Sequence, residues 1–276
     1  MEILSSKYIN VNGSLLDLSV PCVMGILNIT PDSFSDGGKW NHLDEALRHT
    51  EAMIADGADI IDIGGESTRP GHTPVSAEEE AQRVLPVIEA VRKRFDIPIS
   101  VDTFKSSVAE SAIQAGADLV NDIWGLKYDS EMGAVIAKYD VACCLMHNKS
   151  NTEYNNFLID MLSETQECVN LARKAGIKDE KIILDPGVGF GKTFEMNLET
   201  MNHLELFKNL GFPVLLGTSR KSMIGLALDL PVDQRVEGTL ATSVIGVMKG
   251  CSFVRVHDVK ENRRVIQMTE AILGCN

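Results

Sequence analysis

Polar residues recur along this chain where short runs of apolar residues end. These runs end at or near Asn28, Gly64, Asp102, Asp122, Met146, Asp185, Gly217 and His257. Polar groups delivered by rigid apolar strands are a common way to build binding and catalytic sites. The pattern therefore predicts one site assembled from the ends of several strands.

Three residues at or beside these run ends suit a flat, nitrogen-rich ring. Asp102, Asn121 and Asp185 would bring two carboxylates and an amide together, which can pair with several ring donors and acceptors. Taken singly, each of the three also fits the N-cap of the helix that follows. We interpret Asp258 only as such a cap, paired with Glu261 at the start of the last helix.

A basic group near the end of the chain predicts an anion site. Lys221, Arg255 and His257 would come from the last two strands, whose loops commonly bind phosphate in barrels. An ion pair with one of the many acids is the alternative for Arg255. The formal net charge is −13, so an anionic ligand needs such a local cationic pocket, and nucleic acid is not expected as a partner.

The glycine-rich segment 187–193 matches neither common nucleotide-binding motif. Pro186 stands where a P-loop requires its first glycine, and Lys192 stands where the dinucleotide fingerprint requires its third. We interpret the segment as a loop that lets Phe190 and Lys192 reach the site; a plain turn is the alternative.

The sequence carries little signal for a metal or a nucleophile. The six histidines lack zinc spacing, and neither a serine nucleophile elbow nor a Cys–His pair is recognisable. An oxygen-bound Mg²⁺ shared with substrate phosphates leaves few marks on a protein sequence. Asn28 could be its one protein ligand.

A regular alternation of strands and helices positions these residues. Successive run ends lie 20 to 40 residues apart, enough for a crossover helix and a return strand. Helices are predicted behind a Ser76–Glu79 capping box and at 42–56, 106–116, 130–139, 160–175, 197–210, 236–249 and 260–272. The alternation predicts an α/β fold, a single (β/α)8 TIM-type barrel over residues 20–276. A short N-terminal hairpin is predicted in residues 1–19, around Asn12-Gly13.

Composition fits a cytoplasmic protein of one large domain. The chain has 276 residues and 44% hydrophobic content, without an apolar run long enough to span a membrane. Its start lacks the basic and apolar regions of a signal peptide. Six scattered cysteines without a Cys-x-x-Cys pair indicate free thiols in a reducing compartment.

Several segments resemble the dihydropteroate synthase family. They are Met-Gly-Ile-Leu-Asn-Ile-Thr-Pro-Asp-Ser-Phe-Ser-Asp-Gly-Gly at 24–38, Asp-Ile-Gly-Gly-Glu-Ser-Thr-Arg-Pro-Gly at 62–71, Asp-Pro-Gly-Val-Gly-Phe-Gly-Lys at 185–192, Ser-Arg-Lys-Ser at 219–222 and Val-Arg-Val-His at 254–257. The first two are highly specific, and all five stand in the family's order. The resemblance covers nearly the whole chain from about residue 20.

The resemblance implies a freestanding pterin-binding barrel that joins 6-hydroxymethyl-7,8-dihydropterin pyrophosphate to para-aminobenzoate, giving 7,8-dihydropteroate and pyrophosphate in folate biosynthesis. It also implies Mg²⁺ at Asn28, a homodimer, and loops 31–39 and 65–75 that close over both substrates. Pterin pyrophosphate would contact Thr68, Asp102, Asn121, Ile123, Met146, Asp185, Phe190, Gly217, Lys221, Arg255 and His257. The aminobenzoate pocket would include Arg69, Pro70, Phe190, Lys221 and Ser222. The catalytic residues would be Asp102, Asp185, Lys221, Arg255 and His257.

These residues fit a mechanism without a protein nucleophile. Loss of pyrophosphate, helped by positive charge, leaves a pterin cation that buried carboxylates can stabilise before the arylamine attacks. A pterin-dependent corrinoid methyltransferase and a non-catalytic pterin-binding protein are the alternatives. The segments 28–38 and 219–222 argue against the first, and the basic group argues against the second. Residues 148–151, Asn-Lys-Ser-Asn, depart from the family, which often has a glycine there, so the shape of this loop stays open.

Overall fold

A computed structural model describes residues 8–11, 14–29, 39–67 and 74–275 of the chain. Its strands form a two-stranded antiparallel hairpin followed by an eight-stranded parallel sheet. The hairpin consists of β1 (Tyr8–Val11) and β2 (Ser14–Asp17). The parallel strands are β3 (Cys22–Asn28), β4 (Ile60–Gly64), β5 (Ile99–Asp102), β6 (Leu119–Asp122), β7 (Ala142–Met146), β8 (Ile182–Asp185), β9 (Leu215–Leu216) and β10 (Phe253–Val256).

Helices connect these strands and surround them. The α-helices within the described ranges are α1 (Lys39–Ala55), α2 (Ala77–Arg94), α3 (Ser106–Ala115), α4 (Met132–Tyr139), α5 (Phe157–Ala175), α6 (Phe194–Asn202), α7 (Glu205–Lys208), α8 (Ser222–Leu228), α9 (Val236–Met248) and α10 (Val259–Leu273). Two α-helices stand between β8 and β9 and two between β9 and β10, whereas the described residues show one α-helix in each earlier connection of the parallel sheet. None of these described helices combines the length and the apolar character needed to cross a membrane.

The parallel sheet closes on itself. Its strands pair in the order β8-β7-β6-β5-β4-β3-β10-β9, and a parallel bridge between Leu184 and Val214 joins the two edges. The amide of Leu184 also donates to the carbonyl of Pro213 at 2.9 Å. The predicted barrel and hairpin are therefore confirmed. The domain boundary after residue 19 stays a prediction, and the Asn12-Gly13 turn lies outside the described residues.

Strand residues alternate between the inside of the barrel and the surrounding helices. In β4, Ile61 and Ile63 pack in the core shared with the helices, whereas Ile60 packs in the barrel interior. Because the side-chain period of a strand is two, Asp62 and Gly64 share the inward side with Ile60. The same parity turns Asn28, Asp102, Asn121 and Asp185 inward, whereas Asp122 shares the outward side of β6 with Val120.

The hairpin covers one end of the barrel. Ile9 and Val11 are 1% exposed and pack against residues near the strand starts, including Cys22, Leu119 and Phe253. The strands therefore begin under the hairpin and end on the opposite side. We call that opposite side the mouth.

Two features of the helices differ from the sequence prediction. Residues 197–210 form α6 and the separate short helix α7, because the chain turns at His203 and so buries Leu204 and Phe207. Helix α8 was not predicted, since its seven residues are too short to show helical periodicity. The predicted cap at Ser76 is confirmed: its hydroxyl accepts the amide of Glu79 at 3.1 Å.

Candidate active site

The predicted polar strand ends meet at the mouth. Strand register pairs Asn28 with Gly64, Gly64 with Asp102, and Asp102 with Asn121. On the far side of the ring, Asp185 of β8 pairs with Met146 of β7. Helices α3, α4 and α6 take their N-caps from other residues, so Asp102, Asn121 and Asp185 are not helix caps.

Arg255 bridges two buried carboxylates at the mouth. Its Nε donates to Oδ2 of Asp62 at 2.5 Å, and its Nη2 donates to Oδ2 of Asp102 at 2.6 Å. The ion pair that the sequence left open for Arg255 is therefore present, and one partner is a predicted site residue. Burial raises the pKa of Asp102 to about 7 although Arg255 lies beside it. Among the described residues, Oδ1 of Asp102 has no hydrogen-bond partner.

Asp185 presents a second buried carboxylate. Its Oδ1 accepts the amide of Gly187 at 2.7 Å, which fixes the start of the glycine-rich loop. Burial raises its pKa, against the positive charge of Lys221. A Cβ on Gly217 would stand 3.6 Å from Oδ2 of Asp185 and 4.0 Å from Nζ of Lys221. The glycine therefore leaves open space between this acid and this base.

Lys221 combines a buried ammonium with an aromatic partner. Its Nζ donates to the carbonyl of Val188 and lies 4.5 Å from the ring centroid of Phe190. Burial lowers the pKa of Lys221 to about 8, although Asp185 opposes the shift. Lys221 is therefore largely charged at neutral pH and loses its proton as the pH rises through about 8.

An apolar wall stands beside these polar groups. Phe104, Ile123 and Met146 form a small buried cluster, against which Trp124 and Phe190 pack. Such a wall suits the face of a flat ring. The sequence had assigned Ile123, Met146 and Phe190 to this role, but it had not identified Phe104 or Trp124.

Ser219 and His257 form a hydrogen-bonded pair where β9 and β10 end. Oγ of Ser219 lies 2.9 Å from Nδ1 of His257 and also accepts the amide of His257 at 3.1 Å. Ser219 was quoted in the sequence motif but not assigned to the site. Asp258 is the N-cap residue of α10, as predicted, but its side chain makes no cap bond and pairs with Arg220 instead.

The glycine-rich loop turns Lys192 away from its predicted place. Gly187, Gly189 and Gly191 have φ angles of +68°, +87° and +55°, which disfavour residues with side chains. These turns put Nζ of Lys192 beneath the loop, where it donates to the carbonyls of Gly187 at 3.0 Å and Phe190 at 3.1 Å. Phe190 reaches the site as predicted, whereas Lys192 anchors the loop.

His147 contacts the buried end of Lys192. Its Nδ1 lies 2.9 Å from Nζ of Lys192, and its Nε2 lies 2.9 Å from a carboxylate oxygen of Glu164. Burial and the Lys192 charge lower the pKa of His147 to about 3, so this ring is neutral. Burial likewise lowers the pKa of Lys192 to about 7. These residues support the loop from behind.

The atypical segment 148–151 also packs against this loop. Lys149 donates to Oε1 of Glu164 at 3.0 Å and to the carbonyl of Glu153 at 2.8 Å. Its backbone approaches so closely that a Cβ on Gly191 would stand 2.6 Å from the carbonyl oxygen of Lys149. The close contact therefore depends on Gly191 and requires no glycine within residues 148–151.

Replacing Lys192 should loosen the loop that carries Phe190. We expect Lys192→Met to lower the free energy of unfolding by about 2 kcal/mol, because two buried carbonyls lose their donor. KM for the ligand held by Phe190 should rise severalfold. Lys181→Met is the matched control, since Lys181 is a buried lysine that binds the carbonyl of Asp140 far from the mouth. Equal effects of both variants on KM, measured beside denaturant unfolding, would contradict the anchoring role.

Asn28 offers one oxygen ligand for a metal ion. A Cβ on Gly64 would stand 3.8 Å from Oδ1 of Asn28 and 3.6 Å from Oδ2 of Asp102, so the glycine keeps space between them. Within the described ranges, no group of three or more His, Cys, Asp or Glu side chains is placed to hold a metal ion. A single amide oxygen suits Mg²⁺ that takes its other ligands from substrate phosphates and water.

Part of the predicted site falls outside the described residues. Thr68, Arg69 and Pro70 lie there, as do most of the predicted loops 31–39 and 65–75. Ser222 is described; it begins α8 on an exposed surface. Their assignments stay predictions.

Comparison with known proteins identifies the family. A model of the family described as "Pterin binding enzyme" matches residues 24–257. The dihydropteroate synthase of Clostridium beijerinckii is 64% identical over 252 residues, which cover 91% of this chain and 94% of that protein. This chain belongs to the dihydropteroate synthase family of pterin-binding enzymes. The Bacillus subtilis dihydropteroate synthase is 57% identical over 91% of this chain and 88% of its own length.

Solved dihydropteroate synthases share the barrel. The enzyme of Xanthomonas albilineans, solved with 4-aminobenzoic acid, has a TM-score of 0.94 and 38% identity, covering 98% of this chain and 100% of that one. A Clostridium difficile dihydropteroate synthase in the presence of pteroic acid has a TM-score of 0.90 and 51% identity, covering 92% and 97%. The family resemblance found in the sequence is therefore confirmed.

Proposed function

We propose that this chain is a dihydropteroate synthase, which condenses 6-hydroxymethyl-7,8-dihydropterin pyrophosphate with para-aminobenzoate. The observation that carries the proposal is the meeting of two buried carboxylates with Lys221, Arg255 and His257 at one barrel mouth. The acids suit the N–H donors of a pterin, and the bases suit its pyrophosphate. The family assignment supports the same reaction.

The pterin ring would bind on the floor of the mouth. Asp102 keeps a buried carboxylate oxygen that has no partner in the described part of the chain, and such an oxygen is a ready acceptor for a pterin N–H. Asn121 and Asp185 would pair with the other ring edges. Met146 and Phe190 would cover the ring faces, with Ile123 beside them, and Gly217 would leave room between Asp185 and Lys221.

The basic residues would assist departure of pyrophosphate. The bond between the exocyclic methylene carbon and the pyrophosphate oxygen breaks, and its electron pair leaves with the oxygen. Arg255 and His257 would stabilise the negative charge that develops there. Bound Mg²⁺, held by Asn28 and the phosphates, would neutralise more of that charge.

The remaining carbon would be a cation delocalised into the pterin. Asp102 and Asp185 would stabilise this positive charge with their buried carboxylates. The amine nitrogen of para-aminobenzoate then forms the new bond and loses one proton. Because the arylamine is itself the nucleophile, the protein needs to supply none. Lys221 and Phe190, with Ser222 and the undescribed Arg69, Pro70 and Thr68, would shape the space around the arylamine and the leaving group.

A homodimer in the cytoplasm completes the proposal. Leu226 on α8 and Met248 on α9 are 66% and 63% exposed, and such apolar side chains favour burial against a second copy. Light scattering that gives the 30.2 kDa mass of one chain at working concentration would contradict the dimer.

Six free cysteines agree with a reducing compartment.

A two-substrate assay tests the reaction. Dihydropteroate and pyrophosphate should appear in equal amounts only when the pterin pyrophosphate and para-aminobenzoate are both present, and chelation of Mg²⁺ should suppress both. Tight pterin binding with background turnover would support a non-catalytic binding protein instead. Methyl transfer from a methylated pterin to a corrinoid protein would support the methyltransferase.

Pterin affinity should depend on pH through Asp102. The pterin donors need the ionised carboxylate, and the pKa of Asp102 is raised to about 7 in the unliganded protein. Lowering the pH below 7 therefore protonates the acceptor, and affinity should fall by up to about tenfold per pH unit. Calorimetric titration between pH 8 and pH 5.5 measures this. A constant dissociation constant across that range would show that Asp102 does not accept pterin donors.

A further inference from the structure

Asp62 is a carboxylate within the barrel interior that the proposed reaction does not use. It lies in the middle of β4, between Ile61 and Ile63, and is 0% exposed. Placing a carboxylate at such depth is costly unless it has strong partners. Ile60, one layer below on the same inward side, shows that this strand accommodates a purely apolar side chain. The fold by itself does not explain an acid at position 62.

The partners of Asp62 are two residues of the proposed substrate site. Its Oδ2 accepts Nε of Arg255 at 2.5 Å and lies 3.4 Å from Nδ2 of Asn121. One oxygen atom therefore contacts both a residue proposed for the pyrophosphate and a residue proposed for the pterin ring. Asp62 is 0% exposed and Asp102 is 7% exposed, so we assign the direct substrate contact to Asp102 and not to Asp62.

Arg255 has a second carboxylate partner, Asp102, which the proposed function also assigns to the pterin. Its Nη2 donates to Oδ2 of Asp102, while the proposed function has the other oxygen of Asp102, Oδ1, accept pterin N–H groups. Asp62 would keep Nε of Arg255 when the pterin binds, because its carboxylate is fully buried. A guanidinium held at Nε is fixed at its base, while its Nη groups stay available for other acceptors.

We propose that Asp62 is a positioning residue that holds Arg255 and Asn121 in place while pterin pyrophosphate binds. This inference rests on the proposed function, because it gives Asp62 a role only through Arg255 and Asn121. Because Nδ2 of Asn121 faces Asp62, the side-chain oxygen of Asn121 is the atom that would contact the ligand. The opposite charge of Asp62 holds the guanidinium of Arg255 at its Nε.

Steady-state kinetics of Asp62→Asn test the proposal. Asparagine keeps the size of the side chain but loses its charge, so Arg255 should be held less firmly. We expect KM for the pterin pyrophosphate to rise about tenfold and kcat to fall about tenfold, with KM for para-aminobenzoate changing less than twofold. Ser100→Ala is the matched control: Ser100 is buried, stands beside Asp62 in the register of β4 and β5, and should leave kinetics unchanged. Wild-type kinetics in Asp62→Asn would overturn the proposal.

A double-variant comparison separates positioning from general damage to the fold. If Asp62 acts through Arg255, adding Asp62→Asn to Arg255→Lys should reduce kcat/KM by no more than twofold beyond Arg255→Lys alone. If Asp62 only stabilises the barrel, the two losses should multiply, and that outcome would overturn the proposal. Absence of turnover in the wild type would instead reject the proposed function and leave the contacts of Asp62 without this role.

Nitrogen NMR of the unaltered protein covers the case in which Asp62→Asn does not fold. With 6-hydroxymethylpterin as the probe, the Nε–H signal of Arg255 should stay protected from solvent exchange, while its Nη signals shift. Loss of Nε–H protection on binding would show that Asp62 releases Arg255, which contradicts the proposal.

Discussion

Asp185→Asn should weaken binding of the pterin pyrophosphate by about 10- to 100-fold, while leaving thermal stability nearly unchanged. A hydrogen bond to a charged group contributes about 1.5–3 kcal/mol, and the neutral amide loses that gain. The fold should tolerate the change, because the amide oxygen of Asn can still accept the amide of Gly187. Burial raises the pKa of Asp185, so the native state disfavours its ionised form. At pH values above the ordinary carboxyl pKa, the neutral amide therefore avoids the folding free energy that the buried charge costs.

Asp118→Asn is the matched control for this variant. Asp118 is similarly buried and also accepts a backbone amide, that of Ile99 at 2.8 Å, but it lies where β6 begins. Its replacement should leave the dissociation constant within twofold of the wild type. Calorimetry would measure both variants beside thermal unfolding. An unchanged affinity in Asp185→Asn would restrict Asp185 to fixing the loop at Gly187.

Arg255→Ala should have the largest effect on turnover, lowering kcat/KM by about 10³-fold through loss of a donor to the leaving group. It should also lower the free energy of unfolding by about 3 kcal/mol, because two buried carboxylates lose their shared partner. The positive charge of Arg255 lowers the pKa of Asp102 against the effect of burial. Without it, the pKa of Asp102 should rise above 7, so the pH needed for pterin binding should also rise.

Arg263→Ala is the control that separates the effect of Arg255→Ala on turnover from its effect on stability. Arg263 pairs with Asp59 and donates to the carbonyl of Gly57, away from the mouth. Its loss should destabilise the protein and leave kcat/KM within about threefold of the wild type. Arg255→Ala with an equally small loss of kcat/KM, measured below its unfolding temperature, would reduce Arg255 to a structural ion pair.

The sequence predicted those parts of the site that follow from strand parity. Asp102, Asn121 and Asp185 stand at or beside the ends of apolar runs, and parallel strands bring such ends to one side of a barrel. Asp62 was missed because it lies two residues before the end of its run. Its signal was present: an acid inside Ile-Ile-Asp-Ile-Gly, with the same inward parity as Gly64.

The remaining features depend on contacts that local patterns do not contain. The direction of the Lys192 side chain follows from the positive φ angles of Gly187, Gly189 and Gly191. It also follows from a buried acceptor on His147, 45 residues earlier in the chain. The contact between Ser219 and His257 joins residues 38 apart. Asp258 has good N-cap chemistry but turns to Arg220, because an available guanidinium is a stronger partner than a backbone amide.

A crystal structure with a pterin and pyrophosphate bound together tests the central claim most directly. The claim is that one mouth holds the ring on buried acids and the leaving group on bases from neighbouring strands. We predict pterin N–H groups within 3.2 Å of Asp102 and Asp185, as usual hydrogen bonds require, with pyrophosphate oxygens at Arg255 and His257. A pterin bound without contact to either acid, or pyrophosphate bound away from Arg255 and His257, would contradict the account.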